Sequence, residues 1–138
     1  MHTIADPVIG QLELLDSVGS WQRAFELPGF PPAELHLEAN VVMGAAGDSV
    51  FQWPAPSREQ QATFLALEKN AASIAEQCIA MLAEQAALHG ALFDSPRPRP
   101  VIVIGTEEEI ATFHFAVSWE PEHGCTLRLD GLEVSTLE

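Results

Sequence analysis

The chain has 138 residues, of which 47% are hydrophobic, and its 20 acidic and 6 basic residues give a formal net charge of −14. This length and apolar content suit one folded domain over residues 1–138 and exclude a disordered chain. The negative charge repels phosphate backbones and anionic lipids, so we expect no nucleic-acid and no membrane partner. The N-terminus lacks a basic segment followed by an apolar run, so a cytoplasmic location is expected.

The first forty residues contain three segments with the alternation typical of β-strands. The third segment shows it most clearly, because Leu35, Leu37 and Ala39 alternate with polar residues. Turn-forming residues at 16–19 and 28–32 separate the segments. The three predicted strands are Val8–Leu15, Ser20–Leu27 and Glu34–Ala39.

A helical segment is predicted after a loop rich in small residues. Ser57 can cap the free amides of a helix, and Gln60 can return the bond, which is the capping-box pattern. Apolar residues then recur every three or four positions from Phe64 to Leu88. One straight helix over the whole stretch from Ser57 to about His89 would reach roughly 50 Å at 1.5 Å per residue. We therefore expect a break near Lys69–Asn70, with one long helix as the alternative.

The C-terminal third begins with an extended connector at residues 95–100, because its alternating prolines forbid a helix. The connector leads to the apolar segment Val101–Ile104, which is predicted as a buried strand. Together the elements predict an α+β fold. Its antiparallel β-sheet, made of the N-terminal strands and a C-terminal three-stranded meander, packs against one long or two consecutive α-helices.

The C-terminal meander is predicted from two hairpin signals. Apolar residues alternate over 111–119, residues 120–124 close the first hairpin, and Asp130–Gly131 is a two-residue turn signal for the second. All the larger apolar residues of the meander then share one face. The opposing pairs in this register are Trp119 with Cys125, Val117 with Leu127, Phe115 with Leu129, Leu129 with Leu132, and Arg128 with Glu133.

The loop Glu120–Gly124 brings two carboxylates and an imidazole together, at Glu120, Glu122 and His123. A zinc site would need three or four converging ligands, and the nearest further candidate, His114, lies far along the preceding strand. These three residues are therefore predicted to contact a partner protein, and no metal is expected.

Sequence motifs for catalysis or cofactor binding are missing from the chain. It has no G-x-S-x-G elbow for a nucleophilic serine. Cys78 and Cys125 lie at apolar-face positions, which favour reduced core thiols. We therefore expect no catalytic residue and no cofactor.

Glu107, Glu108 and Glu109 form a run of three acids beside a predicted turn. Such a run is usually a solvated surface, but like charges held together are costly unless a basic group approaches them. These three residues are therefore further candidates for contact with a basic partner protein.

Several short patterns resemble those of a known group of proteins. They are Asp6-Pro7-x-x-Gly10, Trp21, Ser57-x-x-Gln60, Phe115-x-x-x-Trp119-x-x-Glu122-His123-Gly124, and Asp130-Gly131. The chain resembles a family of small acidic bacterial proteins with a C-terminal W-x-x-E-H-G motif, which often occur near toxin genes and are suspected immunity proteins. This resemblance implies a cytoplasmic protein that binds and neutralises a cognate, basic toxin, and it brings no catalytic residues.

Two other classes of function stay open. An adaptor or chaperone for a secreted effector would also be small and acidic, but it would present an apolar groove. A small hydrolase or isomerase would hold His114 or His123 against a carboxylate with a perturbed pKa in a cleft. The oligomeric state is also left open by the sequence.

Overall fold

Within the residues that it describes, the computed structural model contains an eight-stranded sheet, a two-stranded sheet and two helices. It describes residues 3–15, 19–39, 42–43, 51–52, 55–93, 97–105 and 110–136. The strands are β1 Thr3–Asp6, β2 Gly10–Leu15, β3 Ser20–Phe25, β4 Ala33–Glu38, β5 Val42–Met43, β6 Phe51–Gln52, β7 Val101–Ile104, β8 Ile110–Val117, β9 Glu120–Asp130 and β10 Glu133–Thr136. The helices are α1 Arg58–Lys69 and α2 Ala71–Leu88.

The large sheet consists of two four-stranded antiparallel meanders that are joined at its centre by a parallel pair. Its strand order is β1-β2-β3-β4-β7-β8-β9-β10, and the parallel pair is β4 with β7. A parallel pair needs a crossover connection, which here contains both helices. The fold is α+β, as predicted. The predicted sheet was too small, because β7 joins the two halves and β1 adds an edge strand.

The extra edge strand arises from a tight turn where the sequence predicted the start of one continuous strand, Val8–Leu15. The carboxylate of Asp6 accepts hydrogen bonds from the amides of Val8, at 2.9 Å, and Ile9, at 2.8 Å. These bonds reverse the chain directly after Asp6. Gly10 then begins β2 with a φ of 95°, a conformation that glycine adopts readily.

The helical segment divides into two helices at Asn70, close to the predicted break. At its start, the Gln60 amide donates to the Ser57 hydroxyl at 3.1 Å, and the Ser57 amide donates to the Gln60 side chain at 2.9 Å. This confirms the predicted capping box. At the break, the side-chain amide of Asn70 donates to the Ala66 carbonyl at 2.9 Å, which competes with the helical backbone bonds. Neither α1 nor α2 combines the length and the apolar character that a membrane-spanning helix needs.

The hydrophobic core lies between the helices and one side of the large sheet. Phe64 of α1 meets Phe25 of β3 edge to face, with ring centroids 6.1 Å apart. The strands contribute every second side chain, as the predicted alternation requires. On β8 and β9 the buried side chains are Ala111, Phe113, Phe115, Val117, Leu127 and Leu129.

The predicted strand register of the C-terminal meander is wrong by four residues in the first hairpin and by two residues in the second. Phe115 lies opposite Cys125, and Leu129 lies opposite Val134. The second turn is formed by Gly131 and Leu132, not by Asp130 and Gly131, so Arg128 faces Ser135 instead of Glu133. Gly131 has a φ of 65° at the first turn position, where type II′ hairpins favour glycine. Shifts by an even number of residues keep the paired side chains on their predicted faces. Leu132, which was predicted to lie opposite Leu129, instead lies in the turn and is 55% exposed.

Candidate functional site

The side of the large sheet that faces away from the helices carries polar and charged side chains, and we name it the open face. Both helices pack on the other side, and the side chains of the open face are half-buried or exposed except for buried Ser20. The register and the alternation of buried residues define its members. They include Glu13, Ser20, Gln22, Glu34, His36, Glu38, Val101, Val103, Thr112, His114, Thr126, Arg128, Asp130, Glu133 and Ser135.

The open face is acidic, because its described residues include five carboxylates and one arginine, Arg128. The carboxylates are those of Glu13, Glu34, Glu38, Asp130 and Glu133. Arg128 lies 4.0 Å from the Asp130 carboxylate. Arg99 lies near this face, since it lines a cavity of about 250 Å³ together with Glu34. The remaining acids of the face are left to interact with solvent or with a partner.

Two histidines of the open face contact hydroxyl groups. His114 lies with Nε2 at 3.1 Å from the Thr112 hydroxyl and Nδ1 at 3.3 Å from the Thr126 hydroxyl. Burial lowers the pKa of His114 below its ordinary value of 6.5. His36 lies with Nδ1 at 3.3 Å from the hydroxyl of Ser20. These contacts position the rings but do not form the histidine–carboxylate pair that the enzyme hypothesis requires.

The predicted loop 120–124 protrudes from the sheet as a bulge at the start of β9, and we name it the acidic bulge. Val117 pairs with Glu120, and Phe115 pairs with Cys125. The two pairs are therefore two residues apart on β8 but five residues apart on β9, which makes β9 bulge. Gly124 permits this geometry with a φ of 69°, and a Cβ there would clash with the Phe115 carbonyl oxygen.

The acidic bulge brings together three of the predicted contact residues. The His123 ring lies with Nδ1 at 3.4 Å from the Glu120 carboxylate, and the side chains are 81% and 45% exposed respectively. Glu122, between them in sequence, is also exposed. All three side chains are therefore accessible to a partner.

The other predicted contact residues, Glu107, Glu108 and Glu109, lie outside the described residues. The nearest described residues are Gly105 and Ile110. Ile110 begins β8 and Val117 ends it, which separates the two by about 24 Å at roughly 3.4 Å per residue. Ile110, which follows them in sequence, therefore lies at the end of β8 opposite to the acidic bulge.

A cavity of about 200 Å³ lies beside the acidic bulge, at the C-terminal end of α2. Burial raises the pKa of the Cys125 thiol, which disfavours a reactive thiolate there. The cavity therefore offers no activated nucleophile at Cys125. Its lining residues are Gln85, His89, Trp119, Glu120, Gly124, Cys125, Thr126 and Thr136.

Sequence reasoning missed the contribution of the open-face acids Glu13, Glu34 and Glu38. The sequence did indicate that these acids lie on the exposed side of their strands, since each alternates with buried leucines. What the alternation could not show is that the two meanders join into one sheet. The parallel pair β4–β7 places these acids on the same side as Asp130 and Glu133.

A metal site has no candidate in the part of the chain that the structure describes. There, no group of three or more His, Cys, Asp or Glu side chains could hold a metal ion. The large apolar side chains that are exposed there are Leu65, Leu88, Leu92 and Leu132. Comparisons with protein-family models, with curated proteins and with solved structures each found no match. Function is therefore inferred from the geometry of the chain itself.

Proposed function

We propose that this protein binds a basic protein partner through its open face and acidic bulge, as an immunity protein that neutralises a toxin. The observation that carries the proposal is the acidic open face, with five carboxylates and one arginine on the side of the sheet away from the helices. The resemblance of the sequence motifs supplies the toxin as the class of partner.

The size of the open face suits an interface between proteins. Eight strands about 4.8 Å apart and roughly 20 Å long give it an area of about 700 Å². One partner contributes about 800 Å² to a typical stable interface. The face is also held rigidly by the core behind it, which lowers the entropy cost of association.

The charge of the protein suits a basic partner. Acidic side chains attract a basic surface over long range, which accelerates association when the salt concentration is low. A toxin that acts on nucleic acid carries a basic cleft, and an acidic sheet placed over that cleft would exclude the substrate. The proposed contact residues are the open-face acids with Glu120, Glu122 and His123, and the run Glu107, Glu108 and Glu109 remains a candidate.

The proposal is tested by finding the partner and then reversing charges on one side of the molecule at a time. The immobilised chain is used to capture proteins from its source cells, and the captured basic protein is identified, purified and tested for toxicity with and without this chain. The test variant carries Glu13→Lys, Glu38→Lys and Glu133→Lys on the open face. The matched control carries Glu59→Lys, Glu68→Lys and Glu76→Lys on the helices, where the same three charges are reversed at exposed positions.

The open-face variant is expected to associate with the partner about tenfold more slowly at low salt and to lose toxin neutralisation, whereas the control changes little. Equal losses in both variants would mean that the overall charge, and not this face, attracts the partner. The function is wrong if no basic protein is captured or if the captured protein is not toxic.

A further inference from the structure

The cavity beside the acidic bulge has three features that favour a positive charge. Its position is the C-terminal end of α2, an 18-residue helix whose last turn contains no basic residue. The carbonyl groups at a helix C-terminus carry partial negative charge, which attracts cations. Glu120 lines the same cavity and adds a full negative charge.

Trp119 supplies the third feature, because it also lines the cavity. The electron-rich face of an indole attracts arginine and lysine side chains. The protein already uses this chemistry nearby: the Arg97 guanidinium lies 5.8 Å from the ring centroids of both Phe30 and Phe93. Phe93 in turn meets Trp119 edge to face, with centroids 6.5 Å apart.

The described part of the chain does not supply a lysine or arginine to this cavity. Arg97 is held elsewhere, since it donates to the Gly29 carbonyl at 2.7 Å in addition to its contacts with the two phenylalanine rings. The Glu120 carboxylate contacts the His123 ring at 3.4 Å, and both side chains are exposed. His89 also lines the cavity, with Nδ1 at 3.0 Å from the Gln85 carbonyl. Among the described residues the cavity therefore contains an imidazole but no lysine or arginine, and an arginine there must come from another molecule.

We propose that this cavity is a socket for one arginine side chain of the partner protein. The inference rests on the proposed function and adds the chemistry of an anchoring residue to it. A guanidinium group fits better than an ammonium group, because its planar shape can pair with the Glu120 carboxylate through two hydrogen bonds and stack on the Trp119 indole. A bound metal ion fits poorly, since a metal needs several converging ligands and the described residues offer no such group here.

The socket is tested without the partner by titrating the full chain with N-acetyl-arginine amide while recording amide NMR signals. N-acetyl-citrulline amide is the matched neutral probe, because it has nearly the same shape and no charge. The arginine probe is expected to cause saturable shifts at Gly124, Cys125, Thr126 and the Trp119 indole, and the citrulline probe to cause much smaller ones.

Two variants with the same change of charge locate the carboxylate that binds the probe. Glu120→Gln is expected to weaken binding of the arginine probe roughly three- to fivefold, because it removes the charge-assisted hydrogen bonds. Glu122→Gln is the control, since Glu122 is exposed on the same bulge but does not line the cavity. It should change the affinity less than twofold.

The socket is wrong if both probes cause equal shifts or if both variants have equal effects. It is also wrong if the shifts are spread over all the acidic residues. The proposed function is judged separately by capture and toxin neutralisation. If the chain still neutralises its basic partner while the arginine probe does not bind here, the socket is wrong and the proposed function stands.

Discussion

The two sides of the large sheet are built from the same strands but have different chemistry. On β8, Phe113 points towards the helices and is fully buried, whereas the next residue, His114, lies on the exposed open face. The apolar residues of the helix side stabilise the fold by burial. The polar residues of the open face can then vary for binding at little cost in stability. The residues that stabilise the fold and those proposed to bind a partner therefore lie on opposite sides of one sheet.

The largest expected effect comes from a pair of neighbouring substitutions that compares the two sides directly. Phe113→Ala removes a ring that is 0% exposed, and it should lower the free energy of unfolding by about 4 kcal/mol. His114→Ala on the open face should lower it by only about 0.5 kcal/mol. Urea unfolding of both variants measures the difference. Similar losses for the two would show that the open face is also part of the stabilising structure.

The next largest difference in the free energy of unfolding is expected between two glycines of the C-terminal meander. Gly124 and Gly131 have similar φ values, 69° and 65°, but an added Cβ would clash with the Phe115 carbonyl only at Gly124. Gly131→Ala should therefore cost about 1 kcal/mol for the strained backbone alone. Gly124→Ala should cost about 3 kcal/mol, because the acidic bulge must also move. Thermal unfolding of both variants checks this, and equal costs would mean that the bulge can shift freely.

Two glutamines, one in the core and one on the open face, allow the two sides of the sheet to be compared through polar side chains. Gln60 is 1% exposed, and its side-chain amide donates to the carbonyls of Glu38, at 2.7 Å, and Ile104, at 3.2 Å. Gln60→Ala should therefore cost about 2 kcal/mol, because it leaves buried carbonyls of β4 and β7 unpaired. Gln22→Ala, at a half-buried position on the open face, should cost about 0.5 kcal/mol. Denaturant midpoints of the two variants test the prediction, which a loss of similar size at both positions would contradict.

The sequence predicted most of the buried side chains, because alternation and helical spacing depend only on local geometry. Leu35 and Leu37 on β4 and Phe64 on α1 are all buried where the periodicity placed them. Leu88 and Leu132, which were also assigned to apolar faces, are exposed at the end of α2 and in the last turn. The capping box at Ser57 was also predictable, since its partners lie three residues apart. Local patterns of this kind predict each element without information on how the elements pack together.

The pairing between strands was less predictable, because it depends on how each turn is made. The turn signal Asp130–Gly131 fits two registers that differ by two residues, and both place the same side chains in the core. The parallel pair β4–β7 joins strands more than sixty residues apart, and no local pattern specifies that contact. For the same reason the open face could not be recognised as one surface from the sequence.

The contact residues of the candidate site were predictable only in part. The Glu-His-Gly pattern indicated an exposed loop, and Glu120 and His123 do lie together in the acidic bulge. The cavity beside this bulge could not be foreseen, because it forms where α2 ends against β9 and β10. His89 and Thr136 meet there only through the packing of the helix on the sheet.

The last comparison, which has no expected effect at neutral pH, uses alkaline pH to compare a thiol on the core side with one near the surface. Burial raises the pKa of Cys78 from 9.0 to about 12 and raises that of half-buried Cys125 in the same direction. Above pH 9 the unfolded chain therefore loses a thiol proton that the folded chain keeps at Cys78, so stability falls as the pH rises. Between pH 9 and 12 this thiol contributes a slope of at most about 1.4 kcal/mol per pH unit.

The chain is well suited to this measurement because it has no tyrosine, and Lys69 is its single lysine. Few other side chains therefore titrate in the same range. Cys78→Ala should remove most of the alkaline slope in the free energy of unfolding, even though the lost side chain also lowers the stability at pH 8. Cys125→Ala should leave most of the slope in place. If both variants kept the full slope, the alkaline sensitivity would belong to other groups, and the core would not be holding the Cys78 thiol in its protonated form.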